Sequence, residues 1–392
     1  MNVKELALAQ QEYIVSCRRW LHAHPEESCK EVETTKFIIA QLEEMGVPYI
    51  TYEGCTGCVA VIEGAQPGKT VMLRADIDAL PIQEVEGREY GSVNPGVMHA
   101  CGHDAHTAML LGAVRILKDH KDAIKGTVKC IFQMGEEIGR KSEEYVKQGA
   151  LEGVDAIMGM HVWSAMDSGT ANFESGERMA CSDRFTIKIK GKSSHGSAPH
   201  EGHDAILAAA HAVMDLQTIP SRQLDPVDAL VVTVGKMNGG TKQNILCGEV
   251  ELVGTVRAFN KAFRNSMPQR IEAVVTNAVK AFGCTAECDY YFGPSPLINE
   301  WEDLNELGRG AAEKIIGPGC LRPLTKMLGA EDFSVYTEHI PGVYGYVGLN
   351  NPAKGLTGIV HHHPAFDVDE DVLYQGTGIY VQFAVDYLEQ KA

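Results

Sequence analysis

TVMLRA at residues 70–75, AHTAMLLGAVRILKDH at 105–120 and TVKCIFQM at 127–134 read as strand, helix and strand. The two outer stretches are short apolar runs, and Gly64, Pro67 and Gly68 supply turn signals ahead of the first, as buried strands require. The middle stretch carries apolar residues at helical spacing, with Asp104 expected as its N-cap. Working outward, CVAVIE (58–63) and DAIMGM (155–160) are further strands. Residues 4–22 and 31–46 are helical in period, the second stopped by Gly46 before Pro48, and a last helix is expected over 371–389. This βαβ rhythm predicts an α/β unit with a mixed, largely parallel sheet flanked by helices on both faces.

The pattern changes near Ser182. DRFTIKIKG (183–191) alternates as a strand with one buried face, 203–219 reads as an amphipathic helix, and ALVVTVGK (229–236) and GEVELVGTVRAF (248–259) are two more strands. A helix over 262–282 and the strand TAECDYYF (285–292) complete the order βαββαβ. That is a ferredoxin-like α+β motif, complete within one segment. The expected organisation is a discontinuous catalytic domain, residues 1–181 and 294–392, with an inserted domain at 182–293.

At 392 residues, 44% hydrophobic and 22% charged, the chain has the composition of a folded globular protein with more than one domain. A formal net charge of -17 repels nucleic acid and anionic lipid headgroups, so neither is an expected partner. No stretch reaches the roughly 20 apolar residues of a membrane span. Eleven cysteines without a recognisable leader fit reduced thiols and a cytoplasmic location better than a disulfide framework. Cys55 and Cys58 form a lone CxxC with no second pair to complete a zinc site, and read as a turn.

Ligand-type residues collect at the ends of the predicted strands. In MHACGHDAH (98–106), Cys101 and His103 are two apart, so an extended backbone can aim thiolate and imidazole to one side. Taken alone, the pair is equally a buried thiol beside a helix start. Glu136 and Glu137 follow TVKCIFQM, where one carboxylate can bind metal while the other handles a proton; an isolated acidic pair is more often a solvated turn. His161 follows DAIMGM, and Asp76 and Asp78 follow TVMLRA. In open α/β sheets the functional crevice lies beyond the carboxyl ends of the strands, so the agreement among these positions outweighs any one of them. HHHP at 361–364 offers a further ligand, although spacing does not say which histidine it is.

RRWLHAHPE (18–26), RADIDALP (74–81), MHACGHDAH (98–106), Glu136–Glu137, GMHVW (159–163), SSHGSAPH (193–200), GTVRAF (254–259), EDF (331–333) and HHPAF (362–366) occur in the order of one family. Nearly end to end, the chain resembles the hippurate hydrolase and auxin-conjugate hydrolase branch of the aminoacylase and glutamate carboxypeptidase metallopeptidases. The resemblance implies an amidohydrolase acting on small N-acyl amino acids or related conjugates, with two divalent cations held by Cys101, His103, Glu137, His161 and His362. Zinc or manganese is expected there, with cobalt or nickel as further options. It also implies Glu136 as general base, Asp78 as the residue that orients a metal-site side chain, and the inserted domain as a lid that dimerises. His195 from the lid would donate to the oxyanion, reaching across from the partner subunit, while Asn244 and Arg257 would grip a substrate carboxylate.

Two departures stand out. The chain has Asn244, Ile245, Leu246 and Cys247 where the family often has Asn-Val-Ile-Pro, and FQMGEE (132–137) for the commoner FQPAEE. A dipeptidase or carboxypeptidase is the alternative within the family. Outside it stand a cysteine hydrolase with Cys101 as nucleophile, and a binding protein without catalysis.

Overall fold

A computed structural model describes residues 1–390. They form two compact units, and the chain passes between them at Gly176/Glu177 and Leu297/Ile298. Residues 326–334 also belong to the second unit, and the chain from Val335 onward belongs to the first.

The first unit is built on a seven-stranded mixed sheet. Its strands run in the order Tyr49–Ile50, Gly57–Glu63, Lys125–Gln133, Gln66–Asp76, Ala156–Asp167, Gly342–Asn350, Ala171–Asn172. The middle four are mutually parallel and the outer pairings are antiparallel. Val71, Met72, Leu73 and Ala75 are all buried, so this strand is covered on both faces and its sequence is a continuous apolar run instead of an alternating one. The helix His103–Asp119 is buried along most of its length, and Leu373–Glu389 packs into the same core. Because the four parallel strands point the same way, their carboxyl ends bring Asp76, Gln133 and the residues that follow them to one edge of the sheet.

Three local expectations are corrected. The helix over 4–22 is two helices, Val3–Ala9 and Gln11–Ala23, interrupted at Gln10. Asp104 does not cap its helix: Gly102, at φ 98°, is the N-cap, and a Cβ there would sit 2.4 Å from Val162 Cγ2, so only glycine turns the chain at this point. The Asp104 carboxylate is instead buried against Arg18 at 2.9 Å and His22 at 2.7 Å. His161 does not follow its strand but lies inside it, in Ala156–Asp167. The pairing with Gln66–Asp76 stops at Gly159, while the parallel partner Gly342–Asn350 carries the strand onward and aligns Tyr346 with His161.

The second unit contains a four-stranded antiparallel sheet in the order Thr285–Tyr291, Asp183–Lys190, Glu249–Ala258, Leu230–Gly239. Phe185, Ile187, Ile189, Val250, Leu252 and Val256 form its buried face and pack with the helices Ala205–Leu216 and Met267–Lys280. Alternation of period two is what a sheet covered on one side needs, and it is why the βαββαβ pattern is readable in the sequence. The expected single helix over 262–282 breaks at Ser266, and Pro268 opens the next one.

Inside this unit Arg264 and Asp183 form a buried bidentate pair, Nε to Oδ2 at 2.8 Å and Nη2 to Oδ1 at 2.7 Å. Arg264 also donates to Ser295 Oγ and to the Gly293 carbonyl, while the Tyr290 hydroxyl and the Gly293 N–H donate to Asp183. Arg264→Ala leaves the Asp183 carboxylate buried without its counter-charge. The variant is expected to lose about 3–5 kcal/mol, read as an earlier urea midpoint of the second unit; an unchanged midpoint would show the pair to be replaceable.

Candidate metal centre

The carboxyl-terminal edge of the larger sheet gathers the sequence-predicted ligands of the first unit. Cys101 lies in the loop before the buried helix, and its Sγ is 3.4 Å from His161 Nε2. His103 opens that helix. Its Nδ1 faces the Asp78 carbonyl at 2.9 Å and Asp78 Oδ1 at 3.2 Å, so Nδ1 carries the hydrogen and the Nε2 lone pair faces the site. His161 Nδ1 donates to the Val162 carbonyl at 2.6 Å, which likewise leaves Nε2 to face Cys101. Glu137 Oε1 lies 3.3 Å from His362 Nε2 and 4.0 Å from His103 Nε2.

These donors fall into two triads. The ligand atoms of Cys101, His103 and His161 lie within 4.8 Å of one another, and so do those of Cys101, Glu137 and His362. Cys101 belongs to both. The Glu136 carboxylate lies within the same reach of His103 and Glu137.

Whether such a set fits a cation can be judged from its protein partners. His103 Nε2 is buried without a hydrogen-bond partner, yet it faces carboxylate oxygens of Asp76 at 3.7 Å and Glu137 at 4.0 Å. A ring nitrogen aimed at anionic oxygens is unfavourable unless a positive charge, a proton or a bound cation, lies between them. Burial opposes charging His103, but Asp76, Asp78 and Glu137 outweigh it and raise its pKa to about 10, so the surrounding carboxylates favour positive charge at this point, which a bound cation would supply in place of the proton. Burial, then Glu137, Glu136 and Asp76, push the Cys101 thiol well above its ordinary value, so a metal ion is what would make it a thiolate at neutral pH. Thiolate, imidazole and carboxylate donors at this separation fit divalent cations.

The histidine run separates into three environments. His361 is held among Trp163, Phe366 and His161, accepts the Ser164 N–H, and is pushed down to about 3 by burial and by His106. His362, at a left-handed φ of 64°, turns the other way toward Glu137. His363 is exposed and accepts the Ala365 N–H. The left-handed backbone at His362 lets neighbouring histidines point apart, a feature with no signal in the sequence.

Two aspartates singled out in the sequence have partners there that motif reading did not show. Asp76 Oδ1 meets His106 Nδ1 at 2.5 Å and Oδ2 meets Arg74 at 2.7 Å, while His106 Nε2 accepts the Val162 N–H. With both ring nitrogens of His106 engaged, this dyad fixes the backbone beside His161, although its ligand atoms and that of His103 also lie within 4.8 Å of one another. Its signal in the sequence was the spacing of His103 and His106 on one helical face. Asp78 does more than orient His103: its two oxygens accept the backbone N–H groups of Glu136 and Glu137, both at 3.1 Å, and Ser28 donates to Oδ2.

The remaining predicted residues belong to the second unit. His195 and Asn244 lie on two paired loop segments, joined by a His195–Ile245 bridge and by the Gly196 N–H donating to the Asn244 carbonyl. His195 Nδ1 accepts the Ser197 N–H, which leaves Nε2 as the protonated, donating nitrogen of a neutral ring. Arg257 lies in Glu249–Ala258 on the face opposite Val250, Leu252 and Val256.

The model of peptidase family M20/M25/M40 matches residues 72–386. The chain is 40% identical over 371 residues to the N-acetyl-L-cysteine deacetylase of Bacillus subtilis, covering 94% of this chain and 86% of that one. It is 43% identical over 299 residues to an N-acyl-L-amino acid amidohydrolase of Geobacillus stearothermophilus, covering 76% and 81%. Among solved structures, the Bacillus subtilis YXEP protein, described as a dinuclear metal binding peptidase from the M20 family, superposes with a TM-score of 0.86 at 34% identity, covering 98% and 99%. The chain therefore belongs to peptidase family M20/M25/M40 and is a metal-dependent enzyme of its amidohydrolase branch.

Proposed function

We propose that the enzyme hydrolyses the amide bond of small N-acyl amino acids or related conjugates, with two divalent cations held by Cys101, His103, Glu137, His161 and His362. The observation that carries this reading is the membership of Cys101 in both donor triads, with the Glu136 carboxylate beside them. Zinc or manganese suits the mixture of soft and hard donors, and cobalt and nickel are compatible with it. When bound, the cations would polarise the amide carbonyl and make water acidic enough to react near neutral pH. Glu136 then accepts the proton of the attacking water and delivers it to the leaving nitrogen. His195 is proposed to donate Nε2–H to the developing oxyanion, and Arg257 and Asn244 to hold the substrate carboxylate, for which a guanidinium fork is the matching shape.

Self-association through the second unit is part of the same proposal. Its edge strand Leu230–Gly239 pairs on one side only, and Met237 on that strand and Ile206, Leu207 and Met214 on the helix Ala205–Leu216 are exposed. A second copy of the chain would cover both features. Among the described residues no helix is long and apolar enough to cross a membrane. We place the enzyme in the cytoplasm, where reducing conditions keep its free cysteines reduced.

A screen of N-acetyl, N-benzoyl, N-fatty-acyl and indoleacetyl amino acids against dipeptides, run on chelated protein reloaded with each metal, tests the substrate class. At least one N-acyl amino acid is expected to exceed every dipeptide by about tenfold or more in kcat/KM. The likeness to a protein described as a peptidase favours short peptides as the second reading, and the reverse order of rates would establish it.

A further inference from the structure

Glu31 is the N-cap residue of the helix Val32–Met45, but its side chain makes no hydrogen bond to that helix. The side chain is fully buried and serves three donors elsewhere: the Cys29 N–H at 2.9 Å, the Gly135 N–H at 2.9 Å and the Thr56 hydroxyl at 2.5 Å. Burying a carboxylate is unfavourable unless its partners compensate, so the contact to Gly135 is a costly way to satisfy one backbone group.

Gly135 immediately precedes Glu136. It is left-handed at φ 64°, and a Cβ there would lie 2.8 Å from Lys141 Cγ, so the turn is built for glycine at this position. Four successive amides along the turn are each held by a buried side chain. Met134 N–H donates to Tyr145 Oη at 3.1 Å, Gly135 N–H to Glu31, and the N–H groups of Glu136 and Glu137 to the two oxygens of Asp78. Thr56 ties two of these acceptors together: its hydroxyl donates to Glu31, and its carbonyl accepts from the Tyr145 hydroxyl. Turns usually satisfy their amides with backbone or water; here the backbone is over-determined on the approach to a carboxylate that must meet one water molecule in one geometry.

We infer that Glu31 is a positioning residue for the general base, fixing the backbone one residue ahead of Glu136. The inference rests on the reading of Glu136 as the base. Glu31→Ala in the metal-loaded enzyme should lower kcat about 10–100-fold with KM and metal content unchanged. Glu31→Gln keeps an oxygen for both backbone N–H groups and can donate to the Thr56 hydroxyl, so it should retain kcat within about threefold. In a Glu136→Gln background, adding Glu31→Ala should change the residual turnover by less than about twofold, because the group being positioned is already gone.

Native kcat in Glu31→Ala overturns the proposal. So does a matching loss of metal or rise in KM, or an equal effect of Glu31→Ala with and without the base. Should Glu31→Ala not fold, Thr56→Val, which removes one donor and leaves the carboxylate in place, must still lower kcat several-fold at constant KM, and native kcat there overturns the proposal as well. Full activity of Glu136→Gln alone would instead refute the base, an outcome the single variants report separately.

Discussion

Glu136→Gln is expected to retain the metal content of the native enzyme and to lose kcat by about 10²–10⁴-fold. The substitution changes one oxygen for an amide nitrogen of nearly the same size, so the turn and its anchors can persist. The Glu136 and Glu137 N–H groups would still donate to Asp78. The two triads that share Cys101 do not include Glu136, so their donors are untouched. What disappears is the capacity to accept a proton from water and return it to the departing amine, and an amide nitrogen leaves slowly unless protonated. Metal analysis alongside kcat and KM distinguishes the outcomes. Native turnover removes Glu136 from the chemistry, whereas loss of metal together with turnover makes it a ligand.

The fold was readable from sequence to the extent that burial left a periodic trace. The second unit's strands are covered on one face, and their alternation locates the whole βαββαβ segment to within a few residues. The strands of the first unit are buried on both faces, so they appear as undivided apolar runs that do not disclose where a strand stops. His161 illustrates the consequence: the apolar run ends at Met160, but pairing with Gly342–Asn350 carries the strand through the histidine.

The site was legible where chemistry is concentrated in a short segment. Cys101, His103, Glu136 and Glu137 could be singled out because residues of these types follow predicted strands or precede a helix. Groups that act through the backbone left no comparable mark. Glu31 lies 104 positions before Gly135, and nothing in a run of helical residues announces a hydrogen bond to a distant turn. The same holds for the three histidines at 361–363, whose separation depends on one left-handed residue.

Removal of divalent cations is expected to abolish turnover, and reloading with zinc or manganese to restore it. The sharper form of this prediction concerns Cys101. Its Sγ lies within 4.8 Å of the donor atoms of His103 and His161, and within the same reach of those of Glu137 and His362. On the proposed assignment Cys101 serves both cations and cannot be deleted for one alone, so Cys101→Ala should bind fewer ions per chain and should not be rescued by raising the concentration of a single metal to the level that saturates the native enzyme. The opposite role, Cys101 as a nucleophile with an imidazole as its base, has one supporting contact in the 3.4 Å approach to His161 Nε2. Against it, burial and three surrounding carboxylates disfavour the thiolate that such chemistry needs, and the ring it approaches carries no charge to help: burial and the neighbouring His106 and His361 rings hold His161 well below its ordinary value, hence uncharged. The two roles make contrary predictions for one experiment. A cysteine nucleophile would keep working in chelator, and Cys101→Ala would retain its full complement of metal while losing activity; a shared ligand requires the chelated enzyme to be silent and the variant to be depleted of ions.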